Sequence, residues 1–340
     1  MKIHCYLTVI LLVVIPCGIT VNADEGFAAT ADGNVIVAGG SWFTFRTNIQ
    51  GSDWLWLHKW SEQNDAWMPF ISTGRPISDV DISPTGKYVA ITDFTQKADP
   101  AVHPDFTLHI YTSDNEHIAS FPDIFDIVFS PDELQVAMVV GEYREGPYIP
   151  QDIIIYNIET GESYSLNHKA NELFWANHDG NIYLKLGGMF PAYCYDVKTR
   201  QLNVTDYKGI FFSPDGTYYY NRYETVIQIF CAKNNTCILS NETVLDFRRG
   251  VCRAEWLNDE IIVFRHNPEV VDKDGEPSYP YVTELLNLSK NTACRFPIKD
   301  LIGVDMKTER LIYCDKGEIR FLELKNIILD AKEFDFCRDL

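Results

Sequence analysis

The residue spacing that most resembles a metal-binding loop is an acidic run, Asp-Lys-Asp-Gly-Glu, from Asp272 to Glu276. Carboxylates at alternate positions beside a glycine are typical of loops that bind calcium through oxygen atoms. A complete calcium loop needs another acid where Val270 stands and a bidentate glutamate further on, where the chain has Tyr279 to Tyr281. The run is therefore predicted to be an acidic turn, and the sequence implies no metal and no cofactor.

Residues that could perform nucleophilic or acid-base catalysis show no recognisable spacing. The sequence lacks the Gly-x-Ser-x-Gly elbow that presents the nucleophile in many hydrolases. Its eight histidines are scattered, and carboxylates are too numerous for an acid-base pair to be selected. We therefore assign no catalytic residue, and the sequence favours a protein that is not an enzyme.

The first 23 residues have the composition of an export signal. A basic start precedes an almost wholly apolar stretch from Cys5 to Ile19, and Val21 to Ala23 has the form of a signal-peptidase site. The apolar stretch is shorter than a transmembrane helix needs. We expect a signal peptide over 1–23 and a secreted or periplasmic chain over 24–340 that does not insert into the membrane. The alternatives are an uncleaved anchor helix or a lipid anchor at Cys17, which the preceding proline disfavours.

The charge of the chain limits its partners. The net charge is −19 at neutral pH, and loss of Lys2 with the signal would make it −20. Such a surface repels nucleic acid and anionic lipid headgroups. Nucleic acid is therefore not expected as a partner. The negative charge does not identify which partner binds, and it does not predict the oligomeric state.

Cysteines become candidates for disulfides in an exported chain. The sequence has nine, of which Cys5 and Cys17 would leave with the signal, so an odd number remains. Cys231 and Cys237 flank a polar stretch, Ala-Lys-Asn-Asn-Thr, between two apolar runs. We predict that a disulfide joins Cys231 to Cys237 across this hairpin. No Cys-x-x-Cys pair supports a zinc site.

The regular secondary structure predicted for the chain consists of β-strands. Alternating apolar runs such as 153–158 and 318–324 dominate, and helix-period patterns are nearly absent. Three stretches repeat one pattern, in which an apolar run, a Ser-Pro turn and a second apolar run follow one another. Their turns begin at Ser83, Ser130 and Ser213. A turn that recurs at near-regular spacing is typical of a repeat fold.

The turns divide the chain into seven units of about 45 residues, each with four predicted strands. The other four units have their first turns near Asp32, Asp179, Asn258 and Lys307. Four antiparallel strands in a unit of this length form the blade of a β-propeller. We predict an all-β fold over 24–340, a single domain built as a seven-bladed β-propeller of four-stranded antiparallel blades.

The turn Ser-Pro-Asp-Gly at 213–216 resembles the repeat of TolB-like and WD-repeat-like β-propellers. Third strands followed by Glu-Thr-Gly at Glu159 or Lys-Thr-Arg at Lys198 are similar to the same family. The motif is structural, because proline presets one turn dihedral and glycine permits the positive φ that follows. The resemblance implies the propeller fold and names no ligand.

Function is expected on the face that carries the longest loops, which we name the long-loop face. In a propeller this face holds the loops between second and third strands, together with the blade-to-blade connections. Four of these loops are long, namely 39–53, 93–105, 141–151 and 265–280. Aromatic and arginine side chains on such loops are typical of protein-binding surfaces. The candidate binding residues are Phe43, Phe45, Arg46, His103, Tyr143, Arg144, Tyr148, His266, Tyr279 and Tyr281.

The sequence thus predicts an exported, non-catalytic propeller that binds a protein or peptide, or acts as a scaffold, through the long-loop face. The alternative is a metal-dependent enzyme, a lactonase-like or cyclase-like hydrolase or transferase, with its site at the mouth of the central channel. Such a site would be assembled from separate blades and would leave no local motif.

Overall fold

The structure is a computed structural model, and it describes the chain in separate ranges. These are 27–31, 34–38, 56–61, 66–95, 105–143, 148–186, 191–223, 226–240, 251–266, 270–271, 277–278, 282–290, 292–296, 301–305, 309–315, 318–323 and 332–333. All regular elements in these ranges are β-strands. The described residues contain no helix long and apolar enough to cross a membrane.

Five sheets each contain four antiparallel strands in chain order. The first has β1 (Phe27–Ala31), β2 (Asn34–Ala38), β3 (Trp56–Ser61) and β4 (Ala66–Ser72). The second has β5 (Ile77–Ile82), β6 (Tyr88–Thr95), β7 (Asp105–Thr112) and β8 (His117–Pro122). The third has β9 (Ile124–Phe129), β10 (Gln135–Tyr143), β11 (Tyr148–Asn157) and β12 (Ser163–Ser165). The fourth has β13 (Glu172–Trp175), β14 (Ile182–Lys185), β15 (Tyr193–Asp196) and β16 (Gln201–Val204). The fifth has β17 (Phe211–Phe212), β18 (Tyr218–Tyr223), β19 (Val226–Cys231) and β20 (Thr236–Ser240).

The remaining strands form two further sheets and a short hairpin. The sixth sheet has β21 (Val251–Trp256), β22 (Ile261–His266), β25 (Val282–Asn287), β26 (Thr292–Phe296) and β30 (Lys332–Glu333). The hairpin has β23 (Val270–Val271) and β24 (Pro277–Ser278). The seventh sheet has β27 (Leu301–Asp305), β28 (Arg310–Asp315) and β29 (Glu318–Glu323). The last strand, β30, pairs with β26 and so joins the sixth sheet rather than the one that precedes it in sequence.

The repeated Ser-Pro turns have the same hydrogen bonds in three sheets. The hydroxyl of Ser83 accepts a bond from the amide of Tyr88 at 2.9 Å, and Ser213 accepts one from Tyr218 at 3.0 Å. The third residue after each serine has a positive φ, 76° at Gly86 and 75° at Gly216. This conformation suits glycine because it has no Cβ. The serine is retained in the repeat because its buried hydroxyl holds the start of the following strand.

The core lies between neighbouring sheets. Leu57 of the first sheet packs with Ile91 of the second, and Leu184 of the fourth packs with Val139 of the third. Apolar residues of the fifth and sixth sheets form another cluster. Apolar residues of the sixth and seventh sheets form one more. Burial of apolar area at each of these contacts supplies most of the stabilisation. The first strands also lie side by side, since β5 contacts β1 and β9, and β1 contacts β27.

The predicted bridge between Cys231 and Cys237 is not formed in the structure, in which both residues are thiols. The register of the hairpin explains the difference. Cys231 lies opposite Thr236, whereas Cys237 lies opposite Phe230. Successive residues of a strand point to opposite faces of a sheet, so Cys231 and Cys237 project to different sides. Cys237 accordingly packs with Phe230 in the core between the fourth and fifth sheets.

Candidate functional site

Most residues predicted to bind a partner lie outside the described residues. These are Phe43, Phe45, Arg46, His103, Arg144, Tyr279 and Tyr281. Tyr143 and Tyr148 are register partners where β10 and β11 end and begin. His266 ends β22 and pairs with Val251 and Val282. These three residues therefore lie at the edge of their sheets from which the second-to-third connections depart.

Strands occupy part of what the sequence predicts to be long loops. In the third sheet, β10 continues to Tyr143 and β11 begins at Tyr148, with a register shift between Val140 and Gly141. In the sixth, the predicted loop contains the hairpin of β23 and β24. The pairing extends because the bulge absorbs one residue and lets the alternation of side chains resume.

A cavity of about 290 Å³ lies on this same face, between two connections of the third and fourth sheets. Asn167, His168 and Lys169 come from the connection between β12 and β13. Leu186 follows β14 and Tyr193 begins β15, so both flank a second-to-third connection. We name these five residues the connection pocket. Its combination of an apolar wall with polar groups is suited to holding a side chain of a partner.

Local contacts hold the residues of the connection pocket in place. The His168 ring meets the Tyr193 ring edge-on, with centroids 4.7 Å apart. The amide of His168 donates to Asp152 Oδ1 at 3.3 Å, and the amide of Asn167 donates to Ser165 Oγ at 2.8 Å. Burial lowers the pKa of His168, which favours the neutral imidazole at neutral pH. Lys169, which is exposed, is therefore the cation of the pocket.

A buried lysine ties the pocket to the fifth sheet. Lys185, the residue before Leu186, is only 1% exposed. Its Nζ donates to the carbonyl of Lys208 at 2.7 Å and to Oδ1 of Asn221 at 2.5 Å. Burial lowers the pKa of Lys185, and the charge of Glu172 partly opposes this. The end of β14, and with it one wall of the pocket, is thus fixed against the neighbouring sheet.

Three aspartates lie on the first strands of the second and third sheets. Asp79 and Asp81 lie on β5 and Asp126 lies on β9. Asp126 Oδ2 accepts a bond from the amide of Leu173 at 3.3 Å. Burial and then the negative charges of Asp79 and Asp81 raise the pKa of Asp126 to about 7. Within the described ranges, no three His, Cys, Asp or Glu residues are arranged to hold a metal ion.

The connection pocket was not predicted from the sequence. The fourth unit has a short second-to-third loop, and loop length was the signal that selected candidate residues. The polar run Asn167-His168-Lys169 between two strands was the only local sign. It becomes a pocket because the next sheet brings Leu186 and Tyr193 beside it, which is a tertiary contact.

Comparison with known proteins adds evidence on the fold. No family model matches the chain, and no curated protein matches it. A WD40 propeller chain in the crystal structure of the mitotic checkpoint complex superposes with a TM-score of 0.57 at 10% identity. The match covers 89% of this chain and 91% of that one. TolB from Acinetobacter baumannii gives a TM-score of 0.43 at 17% identity, over 68% of this chain and 57% of that one.

The superposition extends over nearly the whole chain, and the described sheets have the four-stranded antiparallel form that blades require. At such low identity a structural likeness carries information on fold and not on ligand. The prediction of an all-β fold with four-stranded antiparallel sheets is confirmed. The chain therefore has the fold of a β-propeller, as its repeated turns predict.

Proposed function

We propose that this propeller binds a protein or peptide through its long-loop face. The observation that carries the proposal is the connection pocket, because it is a concave site formed by the two kinds of connection that share this face. The predicted loop residues of the first, second, third and sixth units belong to the same proposed surface. Binding sites in repeat folds commonly form where connections of neighbouring repeats meet.

The pocket limits the occupant by size and charge. A cavity of about 290 Å³ accommodates one side chain or a chain terminus rather than a folded segment. Tyr193 and Leu186 provide an apolar wall, while Asn167 and Lys169 provide hydrogen-bond donors. A peptide residue with an apolar stem and a carboxylate satisfies both, and the single cation would orient it within an otherwise acidic protein.

We propose further that the seven sheets are seven blades of a closed ring. The contact between β1 and β27 supports this, because it joins the first sheet to the last. A closed ring of residues 24–340 is compact, with a radius of gyration of about 20 Å expected for a chain of that length. Small-angle X-ray scattering would measure this radius, and a markedly larger value would indicate an open arc.

We also propose export with cleavage after Ala23, on the strength of the apolar stretch from Cys5 to Ile19. The measurement is the intact mass of the protein recovered from outside the cytoplasm. A mass that begins at Asp24 supports the proposal, and an intact N-terminus contradicts it.

The test of binding is site-specific photo-cross-linking. A benzoylphenylalanine at Leu186 would place the reactive group at the apolar wall of the pocket and keep Lys169, and the same residue at Lys198 is the control. Lys198 is exposed and lies in the third-to-fourth turn on the opposite face. Cross-linking in native extract to a discrete polypeptide from position 186 alone supports the proposal.

A second step separates the pocket from a chance contact. The captured polypeptide, once identified, is titrated against wild type and against Tyr193→Ala. Loss of an aromatic contact in a binding pocket costs about 1–2 kcal/mol, or roughly tenfold or more in affinity. Equal capture from both positions, no capture at all, or unchanged affinity of Tyr193→Ala would contradict the proposed site.

A further inference from the structure

One face of the second sheet brings together an aspartate, two histidines and a serine from three adjacent strands. Asp93 lies on β6, His109 on β7, and His117 and Ser120 on β8. His109 Nε2 lies 3.1 Å from Asp93 Oδ2, and its Nδ1 lies 2.8 Å from Ser120 Oγ. His117 Nε2 is also 2.8 Å from Ser120 Oγ. We name these four residues the serine cluster, and its location does not depend on the proposed binding face.

The hydrogen bonds of the serine cluster determine where the protons are when the histidines are neutral. An ionised Asp93 can only accept, so Nε2 of His109 must donate to it. Nδ1 of His109 then has a free lone pair and accepts the hydroxyl proton of Ser120. Because Ser120 has used its only proton, His117 must donate its Nε2 proton to Ser120 Oγ. The array is therefore carboxylate, imidazole and hydroxyl in series, as nucleophilic serine catalysis requires.

Solvent exposure increases from Asp93 through His109 to Ser120, which is the order that a nucleophilic serine requires. Asp93 is 1% exposed, and the side chain of His109 is 17% exposed. Ser120 and His117 are exposed. The orienting carboxylate is thus enclosed while the hydroxyl is open to a substrate. The other oxygen of Asp93, Oδ1, has no hydrogen-bond partner among the described residues and lies 3.9 Å from a guanidinium nitrogen of Arg75.

The backbone at Ser120 offers a donor for a developing oxyanion. The amide of Asp123 donates to the carbonyl of Phe106 at 2.9 Å, so these two residues are a hydrogen-bonded pair. Hydrogen-bonded and non-hydrogen-bonded pairs alternate along antiparallel strands. His109 and Ser120 are register partners three positions away and are therefore a non-hydrogen-bonded pair. The amide N–H of Ser120 consequently points away from β7, at the outer edge of the sheet.

We propose that Ser120 is a nucleophile for acyl transfer, with His109 as its general base and Asp93 as the residue that orients His109. Oγ attacks the carbonyl carbon of an ester, and its proton passes to Nδ1 of His109. The ester C–O bond breaks, and the leaving alkoxide takes that proton. Water then attacks the acyl-serine and gives one proton to His109, which returns it to Oγ as the acid departs.

The chemistry of the site selects small carboxylic esters as substrates. The amide of Ser120 is the donor that can stabilise the tetrahedral oxyanion, since Nε2 of His117 already donates to Ser120 Oγ. The edge of the Tyr111 ring packs against His117, with centroids 5.2 Å apart, and limits its movement. Since Ser120 and His117 are both exposed, the acyl group receives little enclosure, which suits short acyl chains with good leaving groups rather than amides.

The experiment uses an alkyl fluorophosphonate, which reacts with activated serines by loss of fluoride. The full mature chain is labelled, and the modified residue is located by peptide mass spectrometry. Ser163 provides an internal control, because it is an exposed serine on the outermost strand of the next sheet. We expect labelling at Ser120 and not at Ser163, loss of labelling in Ser120→Ala, and normal labelling in Ser163→Ala.

The role of His109 is tested in two ways. His109→Gln should label about 100-fold more slowly or worse, as expected for loss of a general base. If that variant fails to fold, the wild-type protein still gives a result, because Ser120 should label about 100-fold faster than Ser163 in the same sample. Hydrolysis of p-nitrophenyl acetate should be lost in Ser120→Ala and retained in Ser163→Ala. A Ser120 that is unlabelled, or that labels no faster than Ser163, overturns the proposal.

Discussion

The carboxylate of Glu133, in the first turn of the third sheet, accepts two hydrogen bonds from Thr85, in the corresponding turn of the second sheet. The amide of Thr85 donates to Oε1 and its hydroxyl donates to Oε2, each at 2.7 Å. Glu133 occupies the position that glycine has in the other Ser-Pro turns, with φ of 60°. The strained conformation places the Glu133 side chain where it joins two sheets.

Other first turns are joined in a similar way. The amide of Asp215 donates to Asp259 Oδ1 at 2.9 Å, which connects the fifth and sixth sheets. Asn258 Nδ2 donates to Glu309 Oε1 at 2.9 Å, which connects the sixth sheet to the turn before β28. Turn residues that vary within the repeat therefore make the contacts between neighbouring repeats.

Replacement of Glu133 by glutamine should destabilise the protein at neutral pH. The amide group of glutamine would face one of the two Thr85 donors and remove one charge-assisted bond, a loss of about 1–3 kcal/mol in free energy of unfolding. Chemical denaturation would measure it. Glu162→Gln, in an exposed turn of the same sheet, is the control and should change stability by less than about 0.5 kcal/mol. Equal effects of the two substitutions would show that the contact is not stabilising.

The stabilising effect of Glu133 should depend on pH. Burial raises its pKa, but bonds from Ser83 and Thr85 and the charge of Lys87 lower it by more, so the net pKa is lowered. A lowered folded-state pKa contributes stability above the unfolded-state value, which is lost as pH falls through the folded-state value. The difference between wild type and Glu133→Gln should therefore shrink below about pH 4. A constant difference from pH 7 to pH 3 would argue against this origin.

Gly216→Val should lower stability for two separate reasons. The position has φ of 75°, and a Cβ there would lie 2.5 Å from the ring of His178 in the neighbouring sheet. Gly161→Val is the matched control, since its φ is 72° but nothing lies within 4 Å. The strain common to both is about 1–3 kcal/mol. Thermal unfolding should show a larger loss for Gly216→Val, and His178→Ala should recover the excess. Equal losses of stability in Gly216→Val and Gly161→Val would show that the contact with His178 adds no steric cost.

Asp126 should titrate far above the ordinary range of an aspartate. Its pKa is raised to about 7 by burial and by the charges of Asp79 and Asp81. Because the folded state then holds this proton more tightly, Asp126 makes stability fall as pH rises between about 4 and about 7. Carbon-13 NMR of its carboxyl group would follow the titration. The variant with both Asp79→Asn and Asp81→Asn should show a lower pKa for Asp126, and an unchanged one would refute the charge contribution.

The register of β19 and β20 predicts which cysteine pair can be bridged. Residues directly opposite in an antiparallel pair have Cα atoms about 4.5–5.5 Å apart, within the range of a disulfide. Thr236→Cys should therefore form a bridge to Cys231 on oxidation, detectable as a linked peptide under non-reducing conditions. Wild type, as the control, should give no peptide linking Cys231 to Cys237. Its appearance would restore the pairing predicted from the sequence.

The sequence was a good guide to the sheets because strand and turn signals are local. Alternation of apolar residues predicted β11 and β29, and the Ser-Pro repeats predicted three first turns. The sequence did not predict the pairing at the end of the chain, where β30 lies beside β26 of the sixth sheet rather than beside the seventh sheet that precedes it. Outer-strand pairing depends on which neighbour is within reach, and no local pattern encodes that.

The all-β, repetitive and acidic character of the chain can be derived from its amino acids alone, because alternation, turn chemistry and composition are properties of short segments. Which side chains meet depends on how the strands and sheets pack. Asp93, His109 and Ser120 are 16 and 11 residues apart along the chain, yet strand register places them in one line. Tyr193 reaches His168 across two connections in the same way. The sites of a propeller are formed by residues from neighbouring strands and sheets. Their chemistry therefore cannot be predicted until the register of the strands is known.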